Sequence, residues 1–183
     1  MNQPSPRSIA RTTLVALVSF ATNIAIAEKN PTPPTGVPPA IAVLPSFPLI
    51  LIAHATGSQI YACQAGQNGK FVWSLKAPEA ELRDDHGKII GSHFAGPSWK
   101  LNDGSVVTGR VDAHVDSPDP DSIPWLHLDA LTHGGNGKLT KVIMIQRLYT
   151  HGGKPPATAC DESHEDAETK SNYTADYYFY AAL

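Results

Sequence analysis

The chain has 183 residues, a formal net charge of −3 and 17% charged residues, and neither sign gathers in one region. That length is a prior for one domain, and the absence of a basic stripe excludes the usual nucleic-acid surface. Past the N-terminal segment, no apolar run is long enough to span a membrane as a helix.

Arg7 and Arg11 precede a mostly apolar stretch, Leu14 to Ile26, and Ala25-Ile26-Ala27 offers small residues at a cleavage site. This predicts a signal peptide over residues 1–27 and a secreted or periplasmic protein with no stable membrane span after signal cleavage. An uncleaved anchor is the alternative, although Thr22 and Asn23 interrupt the run. Residues 28–40 hold Pro31, Pro33, Pro34, Pro38 and Pro39. Such a segment suits neither helix nor central strand and is expected as an exposed, semi-rigid lead. The remainder, 41–183, reads as a single β-rich domain.

Ile41 to His54 is apolar but broken by Pro45 and Pro48, as in an edge strand or packing arm. Gln59 to Cys63 and Phe71 to Leu75 flank the turn Gln67-Asn68-Gly69-Lys70, and Pro78 is expected to end that hairpin. Ala80 to Arg83 faces Lys88 to Phe94 across Asp84-Asp85-His86-Gly87. Ser98 to Leu101 meets Ser105 to Val115 over Asn102-Asp103-Gly104, a strong short-range hairpin signal. The loop Asp116 to Pro124 is surface by composition. Trp125 to Leu131 fits a strand or a helical turn, Leu139 to Tyr149 a central strand, and Asp161 to Lys170 a polar turn. Tyr173 to Ala182 is an aromatic strand. Turn signals at this spacing, with no helix-period segments between them, predict an all-β fold. The expected architecture is an antiparallel β-sandwich or barrel of about eight short strands. In an oxidising compartment the two cysteines, Cys63 and Cys160, are expected to pair.

Several segments resemble a known family: Gly91 to Trp99 followed by Asp103-Gly104-Ser105, Ile123 to Leu126, Gln146 to Gly153, and the aromatics from Tyr173 to Tyr180. The chain is similar there to exported proteins of domain-of-unknown-function family 3455. The resemblance implies an uncharacterised secreted or periplasmic protein and brings no catalytic residues with it.

The chemistry-bearing residues give no strong motif, and nothing calls for a cofactor. Eight histidines are present, without a His-x-His pair or His-Glu-x-x-His. His93, His133 and His151 each lie in or beside a glycine-containing turn and form the one candidate metal set. Gly-x-Ser-x-Gly is absent, and Ser92 and His93, as strand neighbours, point to opposite faces. The carboxylates Asp84-Asp85, Asp116, Asp119, Asp121 and Asp161-Glu162 sit in polar turns, which suits solvation better than acid–base catalysis. In a calcium loop, Pro118 and Pro120 would replace flexible spacers.

Trp73, Trp99 and Trp125, with the tyrosines of the last strand, can line a groove or fill a core, and Trp99, between Pro97 and Lys100, is expected to be partly exposed. Arg147, amid an apolar strand, is expected either to face a ligand or to be buried with a carboxylate partner. The leading expectation is a non-enzymatic exported module that binds a small molecule, glycan or envelope component through His93, Trp99, Asp103, Trp125 and His151. The alternative is a metal-dependent enzyme or redox protein using His93, His133 and His151. A purely structural surface protein, with Pro31 to Pro39 as spacer, is the third.

Overall fold

The structure is a computed structural model that describes Met1 and residues 30–182. Apart from Met1, the expected signal peptide lies outside the described residues. Eight strands follow in chain order: β1 Leu49–Ala65, β2 Phe71–Arg83, β3 Ile89–Phe94, β4 Ser98–Leu101, β5 Val106–Val115, β6 Trp125–Gly134, β7 Val142–Gly152 and β8 Glu168–Ala181. Each pairs antiparallel with the next, and β8 returns to pair with β1, so the sheet closes into a barrel. Closure gives every strand a partner on both sides over at least part of its length.

The β-rich expectation and the bridge both hold. Cys63 and Cys160 are joined, across a sequence separation of 97. In the chain-entropy model a loop of that length stabilises by ~4–5 kcal/mol. Among the described residues, no helix is long and apolar enough to cross a membrane.

Several strands are longer than the turn signals predict. Gly57 lies inside β1 rather than ending it, because it serves a close approach: a Cβ there would stand 2.5 Å from the Ala80 Cα on β2. Pro78 likewise lies within β2, next to a bulge at Lys76, where the register shifts between Ile60 and Tyr61 of β1. β3 pairs with β2 only from Ala80 to Arg83, so Pro78 stands on a stretch of β2 with one neighbour. There a missing N–H costs no ladder bond on the open side. Leu139, expected in a strand, instead belongs to the 3-10 turn Lys138–Lys141 and is fully buried.

Period-two alternation assigns the faces. Leu51, Ala53, Ala55 and Gly57 of β1 stand opposite Phe179, Tyr177, Ala175 and Tyr173 of β8, all turned inward. Small residues on β1 give room to large rings on β8. Trp99 enters from β4 and meets Tyr177 and Phe179 edge-on, with ring centroids 5.3 and 6.0 Å away. It is 0% exposed, against the expected partial exposure. On a strand, Lys100 takes the outward side and Trp99 must then face in.

Outside the barrel, a second apolar cluster forms around Ile41, Trp125, Leu148, Tyr178 and Tyr180. The segment before β1 covers it and is therefore no free spacer. Ile41 is 0% exposed. The Gln146 amide donates to the Ile41 carbonyl at 2.6 Å, and the Tyr180 hydroxyl donates to Gln146 Oε1 at 2.7 Å. The Tyr149 hydroxyl accepts from the Thr35 N–H at 3.0 Å and donates to the Thr35 carbonyl at 2.8 Å. The outward faces of β1, β2 and β8 carry polar groups, including the pairs Lys76–Glu168, Lys170–Glu79 and His54–Asp176.

Two outcomes follow from this packing. Truncating Ile41 to Ala should cost about 2–4 kcal/mol, read as a lower urea midpoint; an unchanged midpoint would show that the arm contributes nothing to stability. His54 lies between Asp176, at 2.7 Å, and Asp85, at 2.9 Å. Burial lowers its pKa, but the hydrogen bonds to Asp85 and Asp176 outweigh that, so the net shift is upward from 6.5. The stabilisation is then fully present below the unfolded value and is lost as pH rises through the folded one. The stability gap between the native chain and His54→Gln, at most about 1 kcal/mol for so exposed a group, should shrink as pH rises above the unfolded value of 6.5. A gap that widens with rising pH reverses the assignment.

Candidate functional site

The two ends of the barrel differ. At one end, Leu139 plugs the lumen beside Leu101, Val107, Val142 and Ile145. Asp103 organises this closed end. Its carboxylate accepts from the Ser105 N–H and hydroxyl at 2.9 and 2.6 Å, and from the Lys138 N–H at 2.7 Å. Slight burial raises its pKa, but these hydrogen bonds more than offset that and hold the carboxyl below its ordinary range. Asp103 is thus a turn-holding residue at the closed end.

The other end is open and holds a cavity of about 340 Å³. Its wall is apolar, from Leu75, Pro78, Pro97, Val111, Leu126 and Leu128. Leu75 and Val111, large and apolar, remain exposed at the mouth. Polar groups gather deeper, on Gln59, His93, Arg147 and Tyr177, with Trp99 among them. The opening exists because β2 outruns β3. Leu75, Lys76, Ala77 and Pro78 line the cavity, and none of them pairs with β3. The β7–β8 loop borders this end, held by the Cys63–Cys160 bridge and by the Trp73 indole, which donates to the Thr158 carbonyl at 3.0 Å.

His93 stacks on Trp99 with centroids 4.6 Å apart and planes 14° from parallel. Its Nδ1–H donates to the Ser98 carbonyl at 2.8 Å, since a carbonyl can only accept. Burial pushes its pKa down to about 3, reinforced by the Arg147 charge and opposed by the Ser98 bond. His93 is therefore neutral at physiological pH, with Nε2 as acceptor. Tyr177 lies wholly inside, and burial raises its pKa. Its hydroxyl feels both Tyr173 and the Arg147 guanidinium, yet meets hydrogen-bond geometry with neither.

Arg147 faces inward because β7 pairs it with Tyr177 on one side and Leu126 on the other. Its Nε and Nη2 both donate to the Pro124 carbonyl, at 3.2 and 2.8 Å. The expected carboxylate partner is missing: among the described residues, no acidic group lies within ion-pair distance of it.

The five expected ligand-binding residues thus separate. His93 and Trp99 share the cavity. Asp103 holds the closed end, and Trp125 lies under the N-terminal arm against Tyr149. His151 sits in a depression on the outer wall with Thr56, Ser58 and Asn172, its Nδ1 3.6 Å from Asp119. Gln59 is not among the expected site residues, and Tyr177 enters the expectation only as one of the last-strand tyrosines that can line a groove. The two-residue spacing that puts Tyr177 on one face with Phe179, and Arg147 on one face with Ile145, is the available signal.

The metal set does not assemble. Among the described residues, no three His, Cys, Asp or Glu side chains gather to hold an ion. His93 lines the open cavity, His133 donates its Nε2–H to the Val142 carbonyl at 2.7 Å on the far part of β6, and His151 lies on the outer wall, so the three stand apart. Asp119 of the proline-rich loop accepts from the Ser122 hydroxyl at 2.5 Å and the Asp121 N–H at 3.0 Å, as a turn residue does.

No curated protein and no solved structure matches the chain. Residues 45–181 match the family described as Protein of unknown function (DUF3455). That span takes in all eight strands, the bridge and every residue lining the open cavity, and the chain accordingly belongs to the DUF3455 family.

Proposed function

We propose that the chain is an exported, secreted or periplasmic, binding module that takes a small molecule into the open end of its barrel. The observation that carries this reading is the cavity itself: an apolar wall around a small set of polar groups, at one end of a barrel whose other end is packed solid. Eight-stranded barrels are just wide enough to fill with side chains or to hold one small ligand. Here the first happens at one end and leaves room for the second at the other. An apolar pocket with a few convergent polar groups is the usual form of a small-molecule site.

The small molecule is favoured over a glycan stacked on surface aromatics. Trp99 is 0% and Trp125 6% exposed, so neither offers a ring face to a surface-bound sugar. Export is supported by the disulfide between distant cysteines, which persists in oxidising compartments.

The neutral fluorophore N-phenyl-1-naphthylamine tests the cavity. Its emission should rise and shift to the blue on saturable binding to the full chain. Val111→Trp places a large ring at the mouth and should weaken that binding by at least about tenfold. Equal binding by the native chain and Val111→Trp would move the site elsewhere, and no binding to either would end the proposal.

A further inference from the structure

We infer that the ligand of this cavity is a compact monoanion, a carboxylate on an apolar or aromatic body, with its acid group received by Arg147. The inference rests on the binding reading above and adds the charge and class of the ligand.

Three observations converge. The first is Arg147. Two of its N–H groups share one carbonyl, that of Pro124, and no acid among the described residues approaches within ion-pair distance. A guanidinium brought partly out of water without a counter-charge is costly, and its planar fork matches a carboxylate.

The second is the polarity of the groups left unsatisfied around it. Gln59 Nε2, Trp99 Nε1 and the Tyr177 hydroxyl are buried without a hydrogen-bond partner, and all three residues line the cavity. An amide NH₂ and an indole N–H can only donate, and a phenol can donate. The surplus is therefore of donors, which an oxyanion satisfies and a cation cannot. A buried donor left unmet bears its desolvation cost without return, so a ligand that satisfies these groups is favoured.

The third is the absence of competing charge in the lining. His93 is neutral by burial and hydrogen-bonded to Ser98. Lys76 lies at the rim and is ion-paired to Glu168. With one inward guanidinium and no second cation beside it, the site suits a single negative charge better than a doubly charged phosphate. The wall fixes the rest: Leu75, Pro78, Pro97, Val111 and Leu126 surround a space of about 340 Å³, suited to one or two fused rings or a short alkyl chain.

Calorimetric titration of the full chain with 2-naphthoate, its neutral isostere 2-naphthamide, and octanoate tests the inference. The naphthoate should bind at least about tenfold more tightly than the amide. Arg147→Gln should remove that preference while leaving amide binding in place, and Arg147→Lys should restore part of it. If Arg147→Gln does not fold, as judged by circular dichroism, Tyr177→Phe serves instead. It keeps every charge and should weaken naphthoate several-fold more than amide. Tighter binding of octanoate than of naphthoate would still support the anion and make its body alkyl. Equal affinity for acid and amide in the native chain would overturn the anion while leaving the cavity reading intact. If neither acid nor amide binds while N-phenyl-1-naphthylamine does, the anion is also overturned. If no probe binds, the failure belongs to the cavity reading itself.

Discussion

The seam where β8 closes on β1 sets the character of the whole barrel. In a ring of eight strands the lumen is just wide enough for side chains to fill, so large rings on one strand call for small residues opposite. β1 yields, with Ala53, Ala55 and Gly57, and β8 fills the space with Tyr177 and Tyr173. Gly57 is the tightest point, since even a methyl group there would run into Ala80 of β2. Because the rings come from one wall, Trp99 can cross from the other and meet them edge-on, an arrangement the ring quadrupoles favour. The aromatic mass therefore sits at mid-height and divides the lumen.

That division gives the two ends different constraints. Below the aromatic layer the remaining space is filled by aliphatic side chains and plugged by Leu139, whose N–H is received by the Ser105 hydroxyl at 3.2 Å. Above it, β2 continues past the end of β3 and leaves its inner face open to the lumen. The long β7–β8 connection lies at this end and is pinned by a covalent bridge. The arm before β1 performs a related task outside, covering Trp125, Tyr178 and Tyr180, which would otherwise form an exposed apolar patch.

Local hairpins were legible in the sequence, because Asn102-Asp103-Gly104 and Asp84 to Gly87 carry their turn chemistry with them. The all-β class followed from turn spacing, and the pairing of Cys63 with Cys160 from the expectation of export. Strand lengths were not legible. Gly57 and Pro78 are breakers by local rule, and only the tertiary context turns one into a close-approach residue and the other into a residue beside a bulge. Trp125 and Trp99 look alike as sequence, and one lies outside the barrel under an arm while the other lies at its centre. Distinguishing them requires the register of β5, β6 and β7, which accumulates bulges of its own. Arg147 stood out in the sequence for its apolar neighbours, but that its partner is a carbonyl depends on Pro124, a residue from a separate loop.

The two ends also argue against reading the open one as a poorly finished core. Stability alone would favour a side chain such as Leu or Met at position 147, since apolar replacements of buried ionic groups are often neutral or stabilising. The closed end shows that this sequence can fill a lumen with aliphatic groups. At the open end the fold instead tolerates a cation without an acid and three unmet donors, all lining the same cavity. Unmet polar groups scattered through a core are defects of packing. Among the described residues Trp125 Nε1 and the Tyr173 hydroxyl are unmet away from this cavity, but Gln59 Nε2, Trp99 Nε1 and the Tyr177 hydroxyl gather around it beside Arg147 and each can donate, which describes the complement of something that enters.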